Sequence, residues 1–148
     1  MVQGLGDMNF SVALAAIGSA LGTGVAGMAA VGAWKKAFSQ NKTAPFTLIA
    51  FVGAPLTQTI YGLILRNKII DAKLPADPQM YSYLMIIGAI AGLAMGMSAY
   101  MQGKAAARAC DALAETGKGF GQYIMVLGVI ETVALFVMAF CMMAIPTA

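Results

Sequence analysis

A single acid within a long apolar run is the feature that most constrains this chain. Glu131 lies in the middle of an apolar stretch that extends from about residue 120 to residue 145. A helix needs about 20 apolar residues to cross a bilayer, so this stretch is long enough. An ionised carboxylate at that depth is costly, which makes Glu131 a predicted functional residue. The remaining acids are expected at a terminus, in a loop or at a helix end: Asp7, Asp71, Asp77, Asp111 and Glu115.

The composition predicts an all-α membrane protein. The chain has 148 residues, of which 60% are hydrophobic and 10% are charged. Soluble domains are about 45–50% apolar and about 25% charged. The length accommodates one membrane domain, residues 1–148, with four spanning helices at approximately 10–34, 45–66, 80–113 and 120–146. The absence of histidine excludes histidine-based chemistry in this chain, and the net charge of +3 gives no nucleic-acid signal. The two cysteines are interpreted as packing residues.

Glycines recur at helical spacing in the first and third predicted helices. Small residues at this spacing allow membrane helices to approach closely. We therefore predict that these glycines are helix-packing positions. They are Gly18, Gly22, Gly24 and Gly27 in the first helix and Gly88, Gly92 and Gly96 in the third.

Polar residues cluster at the middle of the second predicted helix. Gln58 and Tyr61 are three residues apart and so share a helix face, with Thr57 beside them. Gln102, in the third helix, adds another amide. A hard cation prefers oxygen ligands, and one carboxylate suits one positive charge, so this surplus of neutral oxygens favours Na⁺ over H⁺. Each neutral side chain taken alone is also compatible with ordinary hydrogen bonding between helices.

The two halves of the sequence resemble each other. Residues 10–66 and 80–146 each read as a helical hairpin whose first helix is rich in glycine and whose second carries a central polar residue. Placing Gln58 over Glu131 also places Thr59 over Thr132. Both hairpins run in the same direction across the membrane, so we predict a parallel duplication.

The distribution of positive charge predicts the orientation in the cell membrane. Basic residues are more frequent in cytoplasmic loops. The first and third connections hold six basic residues, whereas the second holds three. We therefore expect a multi-pass protein with the first and third loops in the cytoplasm and both termini outside. The six residues are Lys35, Lys36, Lys42, Lys104, Arg108 and Lys118, and the three are Arg66, Lys68 and Lys73.

Four motifs together resemble the proteolipid of V-type and A/V-type rotary ATPases, which is the rotor-ring component called K or c. They are residues 18–24 (GSALGTG), 55–61 (PLTQTIY), 102–104 (QGK) and 131–132 (ET), and the resemblance covers nearly the whole chain. It is strongest to the bacterial sodium-translocating members. The resemblance implies that Na⁺ is held by Glu131, Thr57, Gln58, Gln102 and the backbone carbonyl of Ala54, with Tyr61 locking the glutamate.

The same resemblance implies an assembly. Copies of the chain would form a ring in the lipid bilayer, with the first and third helices on the inner circle. A stator membrane subunit with an essential arginine would face the ring, and central-stalk subunits of a peripheral ATPase would turn it. The chain itself has no phosphate-binding loop and no nucleophile constellation, and we expect it to carry ions rather than to catalyse. The alternatives are a proton-translocating ring of this family, a small dimeric cation/proton antiporter, and a purely structural membrane scaffold.

Overall fold

Four long apolar helices make up the computed structural model, which describes residues 6–72 and 77–146. They are α1, Phe10–Ser39; α2, Leu48–Asp71; α3, Pro78–Thr116; and α4, Phe120–Ala144. Each helix is long and apolar enough to cross a membrane. The predicted all-α class with four spanning helices is therefore confirmed, and the chain is a multi-pass membrane protein. Lys73, which entered the orientation argument, lies outside the described residues.

The first two helices differ from their predicted bounds. Helix α1 continues through Lys35 and Lys36 to Ser39, because lysine is a good helix former and its charge is favourable near a helix C-terminus. Helix α2 begins at Leu48 rather than at Pro45, whose carbonyl accepts a hydrogen bond from the Trp34 indole at 2.8 Å. It then continues past Arg66 to Asp71. Neither helix therefore ends at its basic residues.

The ends of α3 follow local backbone chemistry. Pro78 occupies the first turn, where its missing N–H costs nothing, and the Asp77 carboxylate accepts from the Gln79 N–H at 3.3 Å. Gly117 ends the helix with a left-handed φ of 66°, and its N–H donates to the Leu113 carbonyl at 2.8 Å. Gly119 is also left-handed, and α4 begins directly after it.

A short 3₁₀ turn interrupts α2 at the polar cluster. The turn covers Ala54–Leu56 and lies between α-helical segments Leu48–Gly53 and Thr57–Asp71. Pro55 explains it, because proline has no N–H to donate to the carbonyl four residues earlier. That carbonyl belongs to Phe51, one turn before Pro55.

Helices α1 and α3 form the centre of the bundle and make the most extensive helix contact. A Cβ added to Gly18 would overlap the backbone of Gly96, and one added to Gly103 would overlap the backbone of Gly22. Gly92 approaches the carbonyl of Phe10 in the same way. The two helices therefore touch backbone to backbone, which only glycine permits at these positions.

Gly24 and Gly27 depart from the predicted packing role within the protomer. A Cβ on Gly24 would meet nothing within 4 Å, and one on Gly27 would make only an ordinary contact with Val52. The side of α1 that carries Gly24 points away from the bundle, since the buried face of α1 is offset around the helix. That buried face consists of Ser11, Ala15, Gly18, Ser19, Gly22, Ala26, Ala30 and Ala33.

Helices α2 and α4 flank the central pair, and α4 is the least enclosed. Its buried residues are Leu127 and Ala134, whereas Val129, Val133 and Phe136 are more than half exposed. An outward surface this apolar suits lipid or another membrane helix. The arrangement leaves the middle of α2 and of α4 side by side, and the polar side chains of both helices meet there.

Candidate ion-binding site

The Glu131 carboxylate is held by donors from two neighbouring helices at mid-length of α4. The Tyr61 hydroxyl, on α2, donates to Glu131 Oε1 at 2.5 Å. The Gln102 side-chain amide, on α3, donates to Glu131 Oε2 at 3.3 Å. Tyr61 is half-buried, Gln102 is buried, and Glu131 itself is half-buried on the flank of the bundle. Each carboxylate oxygen therefore has a donor supplied by a different helix.

Gln102 joins three helices through its amide group. Its nitrogen also donates to the Leu127 carbonyl of α4 at 2.9 Å. Its oxygen accepts from the Gln58 side-chain nitrogen of α2 at 2.8 Å. Gln58 and Gln102 are both completely buried. A buried amide is tolerated when its donors and acceptor are satisfied, as they are here.

Thr57 connects this network to the 3₁₀ turn. Its hydroxyl donates to the Ala54 carbonyl at 3.1 Å and lies 3.3 Å from the Gln58 side-chain oxygen. A threonine hydroxyl also bonds the carbonyl three residues back within a regular helix, as Thr132 does to Val129 at 2.7 Å. Hydrogen bonds therefore join Gln58 to Gln102 and Gln102 to Glu131, and the Thr57 hydroxyl lies beside the Gln58 oxygen at the far end of this network.

The arrangement can stabilise one positive charge. It presents one carboxylate together with amide, hydroxyl, phenol and carbonyl oxygens drawn from three helices, which is the ligand type that hard cations prefer. Within residues 6–72 and 77–146 no lysine or arginine forms an ion pair with Glu131. The carboxylate is also reachable from the side of the protomer, because α4 is exposed around it.

The structure brings together all six residues that the sequence singled out for ion binding: Glu131, Gln58, Thr57, Gln102, Tyr61 and Ala54. Sequence reasoning did not find Ser98. Its buried hydroxyl donates to the Ile130 carbonyl at 2.9 Å, next to Glu131. The signal was present, because Ser98 lies four residues before Gln102 and therefore on the same face of α3.

Asp7 is a second buried acid, which the sequence placed only at a terminus. The side chain is 1% exposed. Its two oxygens accept from the backbone N–H of Asn9, directly before α1, at 3.0 Å and from that of Ser11, in the first turn of α1, at 2.8 Å. A Cβ on Gly88 would overlap this carboxylate, so α3 approaches closely here. Both oxygens are satisfied by helix-terminal donors, which gives Asp7 a capping role distinct from the site at Glu131.

An exposed ion pair joins the C-terminal ends of α1 and α3, at the other end of the bundle from Asp7. Lys36 Nζ lies 2.9 Å from Glu115 Oε1, with both side chains more than half exposed. Such surface pairs contribute little to stability. This pair shows that the α1–α2 and α3–α4 connections lie at the same end of the molecule.

Comparison with known proteins agrees with this architecture. Residues 85–144, which include Ser98, Gln102 and Glu131, match the family of the ATP synthase C subunit. The chain is also 32% identical over 136 residues to the A-type ATP synthase subunit K of Methanocaldococcus jannaschii. That alignment covers 92% of this chain and 58% of the relative, so the chain spans less than two thirds of the relative's length.

Proposed function

We propose that this chain, whose second half matches the family of the ATP synthase C subunit, is a rotor-ring subunit of a rotary ATPase that carries Na⁺. The observation that carries the proposal is the set of donors and oxygens around Glu131. Tyr61 and Gln102 orient the carboxylate, and Gln58 and Thr57 extend the polar chain away from it.

Neutral oxygens favour Na⁺ as the transported ion. A proton needs only the carboxylate, whereas Na⁺ replaces its hydration shell with several oxygens. The amide of Gln58 and the hydroxyl of Thr57 are close enough to the network to contribute oxygens after small side-chain rotations. The Ala54 carbonyl is a further neutral oxygen at its end. H⁺ transport by the same ring is the alternative, in which these groups only hydrogen-bond.

The mechanism follows from the charge at Glu131. An ionised carboxylate is costly in lipid, but binding one Na⁺ or H⁺ cancels that charge. A loaded protomer can then move through lipid while an unloaded one cannot. An arginine of a stator subunit would offer a counter-charge where the ion leaves. This chain performs no bond chemistry, and ATP would be hydrolysed or made by other subunits that a central stalk connects to the ring.

Assembly into a ring of identical copies accounts for the exposed flank. Helices α1 and α3 are the longest and pack through glycine, which suits an inner circle where backbones must be close. Helices α2 and α4 would then face outwards with the site between them. The excess of basic residues favours a cytoplasmic side for the α1–α2 and α3–α4 connections, with the termini outside.

A dimeric cation/proton antiporter is the competing function of another class. It would need a roomy, aromatic-lined cavity beside Glu131 for its cargo. The described groups that hydrogen-bond the carboxylate are the Tyr61 phenol and the buried Gln102 amide, and the buried Gln58 lies behind Gln102. The network therefore favours a small, hard ion over a lipophilic one.

Two measurements on the purified protein test the proposal. Its mass in mild detergent should correspond to a large ring, whereas an antiporter would give a dimer and a scaffold no fixed oligomer. A hydrophobic carbodiimide, which reacts with protonated carboxyl groups, should label Glu131 and no other acid. Na⁺ should slow that labelling, while K⁺ at equal ionic strength should not. A dimer, or labelling at another acid, would refute the rotor assignment, and indifference to Na⁺ would refute the ion.

A further inference from the structure

Ser98 makes a hydrogen bond that ties α3 to α4 beside the candidate site. Its hydroxyl is buried and donates to the Ile130 carbonyl at 2.9 Å. Ile130 is the residue directly before Glu131. A helical carbonyl already accepts one backbone N–H, and its second lone pair is free to accept the serine. Ser98 is thus hydrogen-bonded to the backbone of α4 at the residue that precedes Glu131.

A second tie lies one helical turn away. Gln102, four residues after Ser98, donates to the Leu127 carbonyl at 2.9 Å. Leu127 is three residues before Ile130, so the two donors on α3 and the two acceptors on α4 run in opposite directions. Two ties at one turn's separation fix both the register of α4 along α3 and its rotation. With only one of these hydrogen bonds, α4 could still rotate relative to α3 about that bond.

The choice of partner distinguishes Ser98 from another serine of the same helix. Ser82, also on α3 but exposed, donates to the Pro78 carbonyl of its own helix at 3.1 Å. A serine within a helix commonly bonds the carbonyl four residues back in this way. The Ser98 hydroxyl instead crosses to a neighbouring helix, where it restrains movement between the two.

Helix α4 buries few of its side chains. Its buried residues are Leu127 and Ala134, and its outward surface is apolar on several sides. Apolar packing against lipid does not favour one rotation over another, because lipid tails contact every apolar face equally well. Of the two hydrogen bonds to the carboxylate, the one from Gln102 is the longer at 3.3 Å, and a small rotation of α4 would break it first.

We propose that Ser98 is a positioning residue, which sets the rotation of α4 and thereby holds Glu131 between Tyr61 and Gln102. It does not contact the ion. The geometric part stands on the two ties, and only its expected effect on Na⁺ affinity rests on the proposed function. Loss of Ser98 should leave the helices assembled but allow the carboxylate to move away from its donors.

The test compares S98A with S82A, the same substitution in the same helix at a serine that bonds only its own backbone. In the purified protein without Na⁺, the carbodiimide should label Glu131 about threefold faster in S98A, because one interhelical hydrogen bond is worth about that factor. The Na⁺ concentration that gives half protection should rise by a similar factor. S82A should match the wild type in the labelling rate and in the Na⁺ concentration for half protection. S98T retains the hydroxyl and should restore wild-type values of both quantities.

The outcomes separate the two proposals. Equal labelling rates in S98A and the wild type would overturn the positioning role, as would loss of the ring in S98A, since Ser98 would then be needed for folding as a whole. Wild-type labelling that ignores Na⁺ would overturn the proposed ion alone, because the labelling rate without Na⁺ still measures the effect of Ser98.

Discussion

The Tyr61 hydroxyl lies 2.5 Å from Glu131 Oε1 and joins α2 to α4. Removing only that hydroxyl, in Tyr61→Phe, should weaken Na⁺ protection of Glu131 on the order of tenfold, because a hydrogen bond to a charged group contributes about 1.5–3 kcal/mol. Tyr83→Phe is the matched control, since Tyr83 bonds the Ala144 carbonyl away from the site. Carbodiimide labelling against Na⁺ concentration measures the effect. An unchanged midpoint in Tyr61→Phe would show that the phenol does not hold the carboxylate.

Glu131 should be indispensable for transport but not for assembly. Glu131→Gln keeps nearly the same shape and removes the charge, so rings should form at normal size while Na⁺ uptake into vesicles that contain the whole rotary complex falls to background. Carbodiimide labelling of the chain should also disappear. Asp7→Asn serves as the control acid and should retain uptake. Substantial uptake by Glu131→Gln would disprove the transport role.

The glutamines should contribute to ion affinity without being required for the reactivity of Glu131. Gln58→Leu and Gln102→Leu each remove an amide oxygen, and we expect each to raise the Na⁺ concentration for half protection at least about tenfold, while Glu131 remains reactive. Gln122→Leu, on the exposed side of α4, should behave as the wild type. If all three substitutions gave the wild-type midpoint, the buried amides would serve only as structural hydrogen-bonding groups.

One substitution at two glycines of α1 should have opposite effects. Gly18→Ala places a Cβ into the backbone of Gly96, so we expect a loss of about 1–3 kcal/mol. Gly24→Ala meets open space in the protomer and exchanges glycine for a better helix former, which should add about 0.5–1 kcal/mol to helix stability. Thermal unfolding of the protein in detergent, followed by circular dichroism, measures both. Equal melting temperatures for the two variants would contradict the close contact at Gly18.

The Asp7 cap should affect stability without affecting the ion. Asp7→Ala leaves the N–H groups of Asn9 and Ser11 without their acceptor, and the expected cost is about 1 kcal/mol. The melting temperature should fall, while Na⁺ protection of Glu131 stays at the wild-type midpoint. Asp77→Ala removes a comparable cap at the exposed start of α3. Because that cap is solvated, its removal should lower the melting temperature less than Asp7→Ala does. A shifted Na⁺ midpoint in Asp7→Ala would link this acid to the site after all.

The sequence by itself determined the four helices and predicted the residues of the candidate site. Long apolar runs have few alternatives in a membrane, because backbone groups must be satisfied within each helix. Glu131 could be recognised for a similarly local reason, because an ionised carboxylate within a long apolar run is costly and is visible from the sequence of one helix. Tyr61, its partner on α2, was found together with Gln58 because helical spacing alone places these two residues on one face.

Tertiary structure decided how those helices meet. Gly18 and Gly24 are indistinguishable in sequence, yet only Gly18 faces α3, because the rotation of α1 depends on the combined packing of both helices. The bond from Gln102 to Gln58 and the tie from Ser98 to Ile130 likewise require the register of α3 against α2 and α4. The burial of Asp7 depends on Gly88 of α3, which lies far away in sequence. Local spacing specifies a face of one helix, whereas contact between two faces is fixed only when all four helices pack together.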